Sequence, residues 1–152
     1  MNKTIDQKNR ELTISFTVDE TPRQVFDAIT NVRGWWGEGI EGGTREPGDE
    51  FTYRHKDMHY SCHRLTEVVP DERVVWLTTE SELNFVDDKD EWTGTTIVFE
   101  IGRKEGRTTV EFTHDLGPSL ECFSDCSNAW GFYVRESLRS LIMTGKGKPD
   151  PR

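Results

Sequence analysis

Between Glu11 and His114 the apolar residues recur at every second position in one run after another, and this alternation is the strongest constraint on the fold. Period-two patterning places one face of a strand in a core and the other in water. Consecutive runs of this kind build an antiparallel sheet covered on one side only. ELTISFTV at 11–18 alternates cleanly, with Leu12, Ile14, Phe16 and Val18 on one face. Further strands are predicted over Phe51–His55, His59–Val69, Val74–Thr79, Thr95–Ile101 and Thr108–His114. The Lys56-Asp57-Met58 and Pro70-Asp71 segments read as turns, as does Gly102–Gly106, while the acidic stretch from Glu80 to Glu91 reads as a solvated loop.

Helical spacing interrupts this pattern in two places. Thr21, Pro22 and Gln24 form a capping-box start, and Val25, Phe26, Ala28, Ile29 and Val32 supply an apolar stripe that Gly34 ends. From about Ser119 to Thr144 a longer helix is predicted, with Trp130, Val134, Leu138 and Leu141 on one stripe and Gly145 as its stop. The glycine-rich segment at 37–48 reads as loop or irregular strand. The order predicts one α+β domain over residues 1–152, with a polar tail at 145–152. In it a curved antiparallel sheet wraps around a long C-terminal α-helix, with short helices between the first two strands. Space between sheet and helix makes a natural pocket.

Only 33 % of the residues are hydrophobic, so eight Phe, five Trp and three Tyr must carry much of the core. A formal charge of −9 argues against nucleic-acid partners and against anionic lipid surfaces. The absence of a long apolar run argues against membrane insertion, and the N-terminal segment has no apolar signal region. Together with three cysteines, this gives a cytoplasmic, reduced chain as the expectation, either monomer or homodimer.

The stretches VDETPRQVFDAITNVRGWW, LTEVVPDERVVW, WTGTTIVFEI, FTHDL and CSNAWGFYVRESLRSLIMTGKGKP resemble the SRPBCC superfamily. Within it they resemble the branch similar to the C-terminal domain of the activator of Hsp90 ATPase. That resemblance implies the helix-grip fold of START and Bet v 1-type proteins, with a cavity between sheet and last helix. It also implies either ligand binding or a co-chaperone-like protein contact with a link to stress response, and less directly a cyclase or hydrolase.

Several tempting motifs fail on geometry. Gly37, Gly39 and Gly42 match a dinucleotide fingerprint, but a helix precedes them and none follows. His59 and His63 share a strand face about 13 Å apart, too far for one ion, and His55 adds only a cross-hairpin partner to His59. These imidazoles read as surface or hydrogen-bonded groups. Cys122 and Cys126 have C-x-x-x-C spacing and read as helix packing. No catalytic set, metal site or cofactor is therefore assigned, and catalysis is not expected.

The aromatic residues carry the functional expectation: a pocket for a small apolar or amphipathic molecule. Ile97, Phe99 and Phe112 line its sheet side, Trp130, Tyr133 and Val134 its helix side, and Trp36 its mouth. His114, on an apolar strand face, and Tyr53 supply polar contacts, although a lone buried histidine is more commonly a satisfied core residue.

Overall fold

The structure is a computed structural model that describes residues 12–116 and 123–151. Seven antiparallel strands form one curved sheet: β1 (Leu12–Val18), β2 (Glu41–Gly42), β3 (Glu50–His55), β4 (His59–Val69), β5 (Arg73–Leu83), β6 (Thr96–Lys104) and β7 (Arg107–His114). Their spatial order is β1-β7-β6-β5-β4-β3-β2. From β3 to β7 each strand pairs with the one before it in sequence, while β1 closes against β7 at the far edge. This is what consecutive alternating runs joined by short turns should give.

Helix α1 (Pro22–Thr30) starts as its sequence dictates. The Thr21 hydroxyl accepts from the Gln24 amide, the Gln24 side chain accepts from the Thr21 amide, and Pro22 takes the first turn. Val25, Phe26, Ala28 and Ile29 are buried toward the sheet. The second helix, α2, runs without a break through an α segment (Phe123–Trp130), a π segment (Gly131–Leu138) and a final α segment (Arg139–Thr144). Gly145 ends it at φ 84°, a conformation glycine adopts without strain. The predicted residues 119–122 of this helix, Cys122 among them, lie outside the described residues.

The π segment alters the predicted stripe. Trp130, Val134 and Leu138 are fully buried, but the fourth buried position is Ile142, and Leu141 is only partly covered. A wider turn takes up one more residue, so a strict four-residue spacing stays on one face where an ideal α-helix would drift off it.

Strand β5 runs to Leu83, four residues past its predicted end, and Ser81 and Leu83 point inward. The cause is a bulge: Thr78 pairs with His63 and Glu80 with Cys62, leaving Thr79 unmatched. A bulge reverses the inward parity, which hides the continuation from a period-two reading. The β6–β7 turn is likewise tighter than Gly102–Gly106, because the strands continue to Lys104 and Arg107 and only Glu105 and Gly106 turn, both at positive φ.

Trp35, Trp36, Trp76 and Trp130 are all fully buried between sheet and helices. Burying roughly 200 Å² of each ring gives a gross gain on the order of 5 kcal/mol per tryptophan before entropy is counted. That concentration of area offsets the low apolar fraction. Trp35 stacks on Trp36 and Trp76, and its indole N–H donates to the Ile29 carbonyl at 3.2 Å.

The segment after α2 folds back over the molecule. The Ser137 hydroxyl donates to the Trp35 carbonyl and accepts from the Lys148 amide. Farther along, the Asp150 amide donates to the Trp36 carbonyl, and the Glu38 amide donates to that of Asp150. Among the described residues no helix is long and apolar enough to cross a membrane.

Candidate functional site

A cavity of about 300 Å³ opens between the inner face of β3 and β4 and the first part of α2. Trp36, Trp92 and Trp130 give it an indole-rich wall, with Tyr53 and Tyr133 beside them. Phe85 and Met58 stand toward the connecting loops, and Asp125, Cys126 and Ala129 come from α2. His55 and His59 complete the lining. None of these residues is Lys or Arg.

The wall is rigid because its rings hold one another. Trp36 stacks on Tyr53 with centroids 4.1 Å apart, and Trp92 stacks on Trp130 at 5.8 Å. His59 meets the Trp92 ring edge-on at 4.5 Å. Ring pairs in these offset and edge-on geometries gain on the order of 1 kcal/mol each beyond the buried area.

Two polar networks lie behind that wall. In the first, the Trp130 indole N–H donates to Nδ1 of His114 at 3.1 Å. Since Nδ1 accepts, the proton of the neutral ring sits on Nε2, which donates to the Thr95 hydroxyl at 2.9 Å. Thr95 in turn donates to the Trp92 carbonyl at 2.6 Å. Burial holds His114 down to about 3, so it is neutral at physiological pH. In the second, Ser61 stands between the Nε2 atoms of His59 and His63 at 2.9 and 2.8 Å, and Thr78 meets Nδ1 of His63 at 3.0 Å. Burial lowers His59 to about 3, and it lowers His63 well below its ordinary value.

At the rim, the hydroxyls of Tyr53 and Tyr133 both donate to Oδ2 of Asp150, from Tyr133 at 2.7 Å, and His55 Nδ1 lies 3.2 Å from the same oxygen. Burial, followed for Tyr53 by the bond to Asp150, raises both phenols and keeps them protonated. The tail read as merely polar thus reaches the edge of the cavity.

Of the residues singled out in the sequence, Trp36, Tyr53, Trp130 and Tyr133 line the cavity together. Trp36 is 1 % exposed and belongs to the inner wall, not the mouth. Ile97, Phe99, Phe112, His114 and Val134 are fully buried and lie off the cavity lining. Phe112 and His114 back the wall through Trp130, with ring centroids 4.8 and 6.1 Å from it. His114 is thereby a satisfied core histidine.

Sequence reasoning passed over His59 as a ligand contact, although its shared parity with Ser61 and His63 on β4 was visible. Trp92 and Phe85 belong to the aromatic set that points to a pocket but have no place assigned in it, and Met58 is not singled out, because all three sit in or beside turns without periodicity. Among the described residues no group of three or more His, Cys, Asp or Glu side chains is placed to hold a metal ion.

The family model described as Activator of Hsp90 ATPase homolog 1-like protein matches residues 19–142. No curated protein matches the chain. Among solved structures, the Aha1 dimer from Colwellia psychrerythraea is similar at 22 % identity and TM-score 0.73, covering 90 % of this chain and 98 % of that one. DynU16, a putative protein in the dynemicin biosynthetic locus, is similar at 15 % identity and TM-score 0.68. The match covers 94 % of this chain and 51 % of that one. SSP2350 from Staphylococcus saprophyticus is similar at 15 % identity and TM-score 0.64, covering 93 % and 98 %. At these identities the likeness establishes the shared fold.

The buried histidines set a pH dependence. Each is neutral when folded but takes up a proton near pH 6.5 when unfolded, so its contribution is complete above that value and is lost as pH falls toward its lowered folded value, about 3 for His59 and His114. Unfolding free energies from urea titrations run between about pH 7.5 and about pH 5 should fall below pH 6.5, by roughly 1 kcal/mol per buried histidine per pH unit, and the midpoints with them. A flat midpoint across that window contradicts neutral burial.

Proposed function

The chain belongs to the Activator of Hsp90 ATPase homolog 1-like protein family, and on that premise we propose that its cavity holds a small, uncharged, largely apolar molecule. The observation that carries this reading is the wall itself: stacked indoles and phenols around about 300 Å³ of space. That volume lies at the lower end of the range for small-molecule sites. A flat aromatic compound gains stacking area there. Among the described residues an anion finds no Lys or Arg on the wall and meets Asp125 instead.

Polar contacts in such a site orient the ligand. His59 supplies one. With His59 and His114 neutral and held at about 3, neither is poised as a general base at neutral pH, which favours holding over turnover.

A second reading is a co-chaperone-like protein contact. The family's description names activation of the Hsp90 ATPase, and Phe132 and Met143 on α2 are 41 % and 49 % exposed. It predicts an increase in the ATPase rate of a cognate Hsp90 when this protein is added, and loss of that increase in a Phe132→Ser, Met143→Ser variant. An unchanged rate with the native protein counts against it.

For the container reading, the test is a tryptophan-fluorescence titration with small aromatic ketones and N-heterocycles, paired with native mass spectrometry. Saturable binding is expected. Ala129→Phe, at an exposed position on the cavity's helix side, should weaken it at least tenfold while leaving the melting temperature nearly unchanged. Undiminished binding in that variant would place the ligand elsewhere.

A further inference from the structure

The row His59, Ser61, His63, Thr78 runs from the cavity wall into the core. Ser61, His63 and Thr78 are each fully buried, and the three links are 2.9, 2.8 and 3.0 Å. Ser61 is the informative member. Its hydroxyl has one proton, and its partners are the Nε2 atoms of both rings. It therefore donates to one ring and accepts from the other. Accepting from both would leave its own proton unmet in a residue with no access to water.

The two neutral rings are thus locked in opposite senses. In one arrangement Thr78 donates to Nδ1 of His63, Nε2–H of His63 donates to Ser61, and Ser61 donates to Nε2 of His59. The proton of His59 then sits on Nδ1. In the other every bond is reversed: Nε2–H of His59 donates to Ser61, Ser61 donates to Nε2 of His63, and Nδ1–H of His63 donates to Thr78. Nδ1 of His59 is then a bare acceptor. Both arrangements contain the same protons and the same three bonds, but the reversed one leaves the hydroxyl proton of fully buried Thr78 without an acceptor among the described residues, so the first, with the proton of His59 on Nδ1, is the resting one. Nδ1 of His59 takes no hydrogen bond among the described residues, and it belongs to a wall residue of the cavity.

We propose that Nδ1 of His59 is the polar recognition point of the cavity, and that the hydrogen-bonded row behind it lets this one atom serve as donor or acceptor. The ligand class that follows is a small aromatic molecule bearing one uncharged polar group, a carbonyl in preference to an N–H. This rests on the container reading and goes beyond it by naming the contact and what it tolerates. Because the row reverses as a unit, a ligand touching only His59 sets the tautomer of His63, a ring it does not contact.

The test uses protein carrying ¹⁵N-labelled histidine and two probes of similar size, acetophenone as a pure acceptor and indole as a pure N–H donor. Both should bind, acetophenone the more tightly by about tenfold or more, because indole requires the arrangement that leaves the Thr78 hydroxyl proton unmet. With acetophenone, ¹⁵N shifts should report the proton on Nδ1 of His59 and on Nε2 of His63. With indole both assignments should exchange. In Ser61→Ala, His63 should report the same tautomer with either probe while His59 still responds; should that variant not fold, the wild-type comparison decides alone. Binding of both probes with His63 unchanged in the wild type overturns the coupled row and leaves the container reading standing. Binding of one probe only overturns the tolerance for both classes. Binding of neither removes the container reading and the inference with it.

Discussion

The indole N–H of Trp130 donating into Nδ1 of His114 ties the long helix to the sheet, and much of the interior depends on it. A tryptophan buried at the centre of a core needs an acceptor for its N–H, and a buried imidazole needs partners for both nitrogens. Here each solves the other's requirement. The bond fixes the tautomer of His114, which places Thr95 and through it the carbonyl of Trp92. Trp92 then stacks on Trp130, and these two rings make one side of the cavity. The helix leaves α geometry directly after Trp130, and the π segment that follows keeps Val134 and Leu138 in the same seam. The pocket is therefore a consequence of how the core satisfies its polar edges.

The charge distribution follows from the same constraint. The chain carries a formal −9, yet the interior beside the cavity is polar without being charged. Three imidazoles, Ser61, Thr78 and Thr95 meet one another there, and burial keeps the imidazoles neutral. Two carboxylates come close: Asp125 lines the cavity from α2, and Asp150 stays at the rim, where two protonated phenols and the His55 ring meet it. Neutral hydrogen-bonding groups cost little to bury when paired, whereas an isolated charge costs several kcal/mol or more.

Much of this was legible in the residues, and the parts that were not share a physical cause. Alternation gave the strands, the Thr21–Gln24 box gave α1, and the spacing of Trp130, Val134 and Leu138 gave the buried seam of α2. Those signals are local and periodic. The β5 extension was hidden by the Thr79 bulge, and the shift from Leu141 to Ile142 by the π turn, each of which breaks the period that makes a pattern readable. In the site, Trp36, Tyr53, Trp130 and Tyr133 came together because they sit beside or on regular elements. Ile97, Phe99, Phe112, His114 and Val134 share the right face of sheet or helix but lie deeper, since parity gives a side and not a depth. Asp150 reaches the rim through a fold-back held by Trp36 and Glu38, a tertiary pairing for which the sequence has no periodic signature.

The most direct measurement of the central claim uses the five tryptophans as position markers. Trp36, Trp92 and Trp130 line the cavity, whereas Trp35 and Trp76 are buried away from its lining. With 5-fluorotryptophan incorporated and each resonance assigned, ¹⁹F spectra recorded during titration with a small aromatic ketone should show the three wall signals moving together and saturating, with Trp35 and Trp76 nearly still. Saturable binding that leaves Trp36, Trp92 and Trp130 unmoved would contradict the account.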